Sequence, residues 1–232
     1  NTDWSWSALL ADYDNDGWKD LYITNGYFRD YTYMDFINYM DNYVKSKGRL
    51  QREDVLEIIN HMPSSEVSNY MFGNDQTGKF RNTTSSWGLK RASNSNGAAY
   101  ADLDNDGDLD LIVNNINQPA FIYKNESQEQ TATSYLQLEL VGEGKNTTGI
   151  GANITITHEG QTQTFTQSPA RGYVSSVSPI IHAGLGNSQI IDSLHIKWPS
   201  GKEQLLTGLQ TNQRLILKET EAKKGSIRTQ KT

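Results

Sequence analysis

The sequence contains no cysteine. That excludes disulfide scaffolds, thiolate zinc sites, iron–sulfur ligation and thiol nucleophiles, and it leaves the redox compartment open. No apolar run approaches the ~20 residues of a membrane helix, so no membrane insertion is expected of this stretch. Basic residues are outnumbered, 21 against 27 acids for a net charge of -6, which argues against a nucleic-acid partner because such partners need a basic face. Only four histidines occur (His61, His158, His182, His195), and they are scattered. No G-x-S-x-G, H-E-x-x-H or phosphate-cradling glycine loop is present, so no catalytic activity is expected. What remains is ordinary globular material, 35% hydrophobic and rich in Gly, Tyr and Trp. Its 232 residues suit one large domain or two small ones. The chain opens at Asn1 in mid-pattern, which reads as a piece of a longer protein.

The acidity is local. Nine of the 27 acids are Asp in residues 12–20 and 102–110; without them 18 acids would face 21 bases. The two stretches form a repeat: ADYDNDGWKDL at 11–21 and ADLDNDGDLDL at 101–111 share eight of eleven positions at an offset of 90. The pattern D-x-D-N-D-G-x-x-D places carboxylates at loop positions 1, 3, 5 and 9: Asp12, Asp14, Asp16 and Asp20, then Asp102, Asp104, Asp106 and Asp110. A main-chain carbonyl at position 7, from Trp18 or Asp108, would complete an oxygen-only set, and glycine at position 6 permits the positive φ that closes the turn. Like charges ~4 Å apart repel by ~1 kcal/mol in water and by several times that near a protein surface. Such a cluster therefore calls for a hard cation, and two Ca²⁺ sites are expected in preference to Mg²⁺. A merely solvated acidic turn is the bland alternative. An EF-hand is excluded, because position 12 is Ile23 or Val113 and the flanks are short apolar runs that read as strands.

The D-x-D-x-D-G-x-x-D loop between strands resembles the calcium loop of FG-GAP/VCBS repeats, the blades of integrin-α-like β-propellers. A second signature of those repeats is similar to Tyr70-Met71-Phe72-Gly73-Asn74-Asp75, followed by Gly78 to Thr84 and Trp87-Gly88-Leu89. The resemblance implies partial propeller blades over residues 1–125. The offset of 90 is twice the ~40–50 residues of one blade, and the surplus carries helical spacing at 35–46 and 52–62. A helical hairpin inserted at about 28–66 is expected, either modifying a binding surface or capping a blade. Fewer than two blades cannot close a ring of four to eight.

Residues 126–134 are polar, lack periodicity and read as a linker. From Tyr135 the pattern alternates, with a two-residue hairpin turn at Glu159-Gly160 and a three-residue turn at Pro199-Ser200-Gly201, which predicts a small antiparallel β-sandwich over 135–219 and a flexible tail over 220–232. This half resembles the ASPIC/UnbV domain through Gly149-Ile150-Gly151-Ala152, Gly172-Tyr173, His182-Ala183-Gly184-Leu185-Gly186 and Lys197-Trp198-Pro199-Ser200-Gly201. The pairing is that of the cartilage acidic protein family and its bacterial homologues. It implies an extracellular or cell-surface module, outer-membrane-attached in a bacterium, that binds a protein or glycan ligand.

Other residues admit two readings. Trp4, Trp6 and Trp18 suit blade packing or stacking on sugar rings. His182 suits a structural hydrogen bond, Arg171 a loop-pinning salt bridge or an anion contact, and Glu53, Asp54 and Glu57 a solvated helix face. Asn82, Asn125, Asn146 and Asn153 begin N-x-S/T sequons. The mainly β reading leads to a calcium-binding adhesion module, with a glycan-handling surface protein as the alternative.

Overall fold

The computed structural model describes residues 2–225. In the repeat region, β1 (Ser5–Ala11) and β2 (Asp20–Asn25) form a hairpin. Two helices follow, α1 (Met34–Lys47) and α2 (Arg52–His61), then β3 (Val67–Ser68), β4 (Tyr70–Asn74) and β5 (Phe80–Asn82). The second copy comprises β6 (Ala92–Ser93), β7 (Ser95–Ala101), β8 (Asp110–Asn115) and β9 (Phe121–Tyr123), with the short helix α3 (Ser127–Gln130) after it.

Two sheets result, ordered β1-β2-β4-β5 and β7-β8-β9, and β3 pairs with β6 in a ribbon between them. The duplication extends to register: Ala11 pairs with Asp20 as Ala101 pairs with Asp110, and irregularities between Ser5 and Ala8 recur between Ser95 and Ala98. Alternation sends Leu9, Ala11, Tyr22 and Met71 of the first sheet against Ala98, Leu111 and Val113 of the second, in one core.

The helices form a hairpin within the predicted insertion. Asp54 closes the start of α2 by accepting from the Gln51 N–H at 2.9 Å. The same carboxylate meets Lys47 at 2.9 Å and Tyr43 Oη at 3.0 Å. The Gln51 amide, with the Lys47 and Tyr43 contacts, draws its pKa down to about 2. Asp54 is therefore a structural anion and not part of a solvated face.

The C-terminal half contains β10 (Tyr135–Val141), β11 (Asn153–His158), β12 (Gln161–Thr166), β13 (Ile181–Gly184), β14 (Ile190–Lys197), β15 (Lys202–Gln210) and β16 (Gln213–Lys218). A 3-10 turn at Glu219–Glu221 leads to β17 (Lys223–Lys224). Sheets β13-β10-β16 and β12-β11-β14-β15-β17 face each other across Leu136, Leu138, Ile154, Ile156, Leu194, Ile196 and Trp198.

Three features depart from the sequence reading. One pair of the sandwich, β10 with β16, is parallel. The chain passes from β15 into the other sheet, and Asn212, at φ 57°, ties the start of β16 to β10 by giving its N–H to Tyr135 O at 2.7 Å. Residues 126–134 are not featureless: α3 lies there, because polar side chains find partners on the aspartate loops. The predicted tail is ordered as far as 225, with β17 paired to β15, and residues 226–232 lie outside the described range.

Candidate metal centres

Each aspartate stretch begins as a strand ends and finishes as the next begins. In both loops Asn at position 4 and Gly at position 6 take positive φ, 58° and 94° at Asn15 and Gly17, 62° and 96° at Asn105 and Gly107. These are residue types that tolerate the left-handed region. The loop therefore coils, and its amides turn inward onto carboxylates. Asp12 accepts from the Asp16 N–H at 3.1 Å and the Gly17 N–H at 2.9 Å; Asp102 accepts from the Gly107 N–H at 3.2 Å.

The position 9 acids are held alike. Asp20 accepts from Tyr13 N at 3.1 Å and Asn74 N at 2.9 Å, and Asp110 accepts from Leu103 N at 2.9 Å and Asn125 N at 2.8 Å. One oxygen thus closes the loop and the other fastens the end of the next strand of the same sheet, at the last residue of β4 in the first copy and just past β9 in the second.

The structure brings together positions 1, 3 and 9 in both copies. Ligand atoms of Asp12, Asp14 and Asp20 lie within 4.8 Å of one another, as do those of Asp102, Asp104 and Asp110. The position 5 acids stand outside these trios. Asp16 accepts from Trp18 N at 2.8 Å and from Gln76 Nε2 at 2.9 Å, and Asp106 groups with Asp108 and Glu129. Nothing in the repeat signals Glu129, which α3 supplies from the stretch read as linker. At position 7, Trp18 has an exposed indole, whereas the Asp108 side chain is fully buried and accepts from Gln128 N at 3.1 Å.

Electrostatics separate these groups from ordinary surface acids. Burial, followed by the Asp14 charge, raises Asp12 well above the usual carboxylate range. Burial also raises Asp14, and it lifts Asp20 to about 7. In the second copy burial raises Asp106 and lifts Asp108 to about 7, while Asp104 is lowered by its contact with the Lys124 ammonium at 2.8 Å. Asp102 Oδ1 and Asp108 Oδ1 are buried without a hydrogen-bond partner, and Asp106 Oδ2 faces only the Lys124 ammonium, at 3.6 Å. Orphaned carboxylate oxygens in a cluster lacking any nitrogen or sulfur donor fit a hard divalent cation.

The loops are not free at their outer side. The three-stranded sheet of the C-terminal half lies across both: Gln137 Nε2 on β10 donates to Asp102 Oδ2 at 2.6 Å, and His182 on β13 meets Asn15 Oδ1 at 2.6 Å. Gly186 N donates to Asn15 O at 2.9 Å, and Asn15 Nδ2 donates to Gly107 O at 2.9 Å. Desolvation holds His182 down to about 4, so it is a neutral hydrogen-bonding group near neutral pH. Gln137 is missed by sequence reasoning because it occupies the nominally polar face of an alternating strand. Only the covering loop makes it 6% exposed.

The remaining candidates fall elsewhere. Trp4 stacks on Tyr27 with centroids 4.7 Å apart, and Trp6 packs on Tyr173 at 4.9 Å. Arg171 donates to Thr166 O at 3.4 Å and makes no salt bridge within 4.0 Å among the described residues. Asn125 Nδ2 donates to Tyr13 O at 2.6 Å, which engages the nitrogen that its sequon would glycosylate. A cavity of about 750 Å³ opens beside the β1 and β7 ends remote from the loops, walled by Trp6, Tyr27, Asn96, Asn114 and Tyr173.

Comparison with known families matches residues 52–113 to the FG-GAP-like repeat model and residues 142–224 to the ASPIC and UnbV model. The first match takes in the second aspartate loop; the first loop precedes it. No curated protein matches the sequence. The chain thus pairs an FG-GAP-like repeat with a following ASPIC and UnbV domain, in that order.

Proposed function

We propose that this is a calcium-binding, non-catalytic module of an extracellular or cell-surface protein, acting in adhesion to a protein or glycan. The observation that carries the reading is the duplicated cage, in which Asp12, Asp14 and Asp20, and again Asp102, Asp104 and Asp110, converge at the same loop positions. Calcium there would neutralise carboxylates that burial and mutual repulsion leave unfavourably charged. The carbonyls of Trp18 and Asp108 and the acids Asp16 and Asp106 stand next in line as ligands. The non-catalytic reading is supported by how the titratable groups are spent: His182 on Asn15, Asp54 on the α2 cap and His195 on Glu203 at 3.1 Å. FG-GAP-like repeats are typical of extracellular proteins. No helix among the described residues is long and apolar enough to cross a membrane.

Extracellular calcium sites bind with Kd of roughly 10⁻⁴–10⁻³ M, so ~1 mM calcium contributes ~0.4–1.4 kcal/mol per site. The role is therefore rigidity at millimolar calcium and not the folding of the domain. Calorimetric titration of chelator-stripped protein is expected to show calcium uptake with a matching rise in melting temperature. A flat titration, with the melt unchanged by EGTA in protein first shown to be metal-loaded, overturns the proposal.

The glycan reading draws on the cavity, where the rings of Trp6, Tyr27 and Tyr173 adjoin the amides of Asn96 and Asn114. Aromatic faces and planar amides suit a sugar ring. Glycan-array binding that Tyr173→Ala removes would favour it, and product formation would favour an enzyme.

A further inference from the structure

The first acid of each loop is the one that meets the C-terminal half. Asp102 Oδ2 accepts from Gln137 of β10 at 2.6 Å. Asp12 Oδ2 lies so near Gly184 of β13 that a Cβ there would stand 2.1 Å from it and 2.5 Å from the Asn15 Cα. Gly107 is likewise closed over by the Tyr135 ring, which a Cβ would meet at 2.1 Å. Tyr135 and Gly184 are paired neighbours, as are Gln137 and His182, so one patch of two adjacent strands covers both loops. Asn15 knots the patch together through Gly107, His182 and Gly186.

We propose that β10 and β13 of the C-terminal domain belong to both calcium sites, Gln137 positioning Asp102 and the bare Gly184 admitting Asp12, so that calcium binding and the seating of this domain on the repeats strengthen each other. The proposal rests on the calcium reading. Its physical content is that a carboxylate held at one oxygen by a neighbour presents the other to an ion, and such supporting contacts are commonly worth 10–100-fold in metal affinity. Coupling between two equilibria is reciprocal: whatever affinity the C-terminal domain lends to calcium, calcium returns as tighter seating.

The test uses the full chain and calcium alone. Gln137→Leu is expected to weaken one of two sites by about 10-fold with the metal-free melting temperature little changed. Gly184→Ala, by crowding Asp12, is expected to impair the other. Glu139→Gln, two residues further along the same face of β10 and paired with Arg214 away from the loops, should leave both sites intact. Calcium should also slow hydrogen exchange of the Gly186 amide, which bonds to Asn15 O, and Gln137→Leu should reduce that protection. Should Gly184→Ala fail to fold, Gln137→Leu and the exchange of Gly186 decide the matter. Wild-type affinity in Gln137→Leu, or a Gly186 amide indifferent to calcium, overturns the proposal while leaving the calcium reading standing. A wild-type chain that takes up no calcium overturns both.

Discussion

The two aspartate loops have nearly the same residues and opposite surroundings. The first is packed under the C-terminal sheet with Asp12 only 6% exposed; burial raises Asp12, Asp14 and Asp20, and no ammonium lies within 4.0 Å of its carboxylates among the described residues. The second is more open, and Lys124 Nζ sits 2.8 Å from Asp104, 3.6 Å from Asp106 and 3.1 Å from Glu129. One position makes the difference. The amide that fastens the position 9 acid comes from Asn74 in the first copy and Asn125 in the second, so Lys124 stands where the first copy has Gly73. The second loop has an ammonium paired directly to its acids, whereas Lys19 of the first turns its ammonium to the Phe165 ring, 4.8 Å from the centroid, and pairs with none of them within 4.0 Å among the described residues. Identical ligand letters therefore do not make identical sites.

The largest expected effect comes from removing the acids. Asp14→Ala with Asp104→Ala should abolish the calcium dependence of melting, a shift of several degrees given ~0.4–1.4 kcal/mol per site and about 2–4 °C per kcal/mol for a chain of this size. Of the two single substitutions, Asp14→Ala should remove the greater share. Equal losses, followed by calcium-dependent differential scanning calorimetry, would erase the contrast between the loops.

Protons sharpen the contrast next. Asp20, raised to about 7, and Asp12, raised as well, hold protons in the metal-free fold that the unfolded chain releases near pH 4. The contribution of Asp20 is present below about pH 4 and is lost as pH rises through 7, and that of Asp12 runs in the same direction. His182, lowered to about 4, has the opposite sign: its contribution is complete above about 6.5 and lost as pH falls toward 4. In a His182→Gln background the metal-free melting temperature should therefore fall between pH 4.5 and 7, and calcium should flatten that slope. Titrations at pH 6 in buffers of different ionisation enthalpy should show about one to two protons expelled at the first site. A calcium heat independent of buffer would count against desolvated acids there.

A smaller effect is expected at the second site. Lys124→Met should raise its calcium affinity several-fold, the worth of one half-exposed ion pair, and leave the first unchanged. Smallest of all is Trp18→Ala, which should leave calcium uptake as it is, because position 7 would act through its carbonyl.

The loops themselves were legible because their ligands are local: spacing, glycine and flanking strands all lie within eleven residues, and the registers of the two copies coincide. The helical hairpin was legible for the same reason, from 3.6-residue spacing ended by Gly48 and Pro63. What escaped is tertiary. Lys124 and Glu129 reach the second loop from outside the repeat, α3 forms where polar composition suggested a bare linker, and Gln137 reads as a surface residue on a strand whose outer face the loops cover. Asp16 and Asp106 stand apart from their trios because Gln76 and the Lys124–Glu129 group engage them. Alternation and spacing do not encode which distant side chain arrives.

The parallel pairing of β10 with β16 bears on the order in which the molecule assembles. β10 lies between β13 and β16, so the first strand made of the C-terminal domain waits for the fourth and the seventh before its sheet is whole. Each aspartate hairpin, by contrast, closes across a loop of eight residues. Local closure precedes long-range pairing. On a growing chain both loops would be made, with their carboxylates open to solvent, before β10 and β13 arrive to cover them, so the contacts of Gln137 and Gly184 are the last part of each site to form.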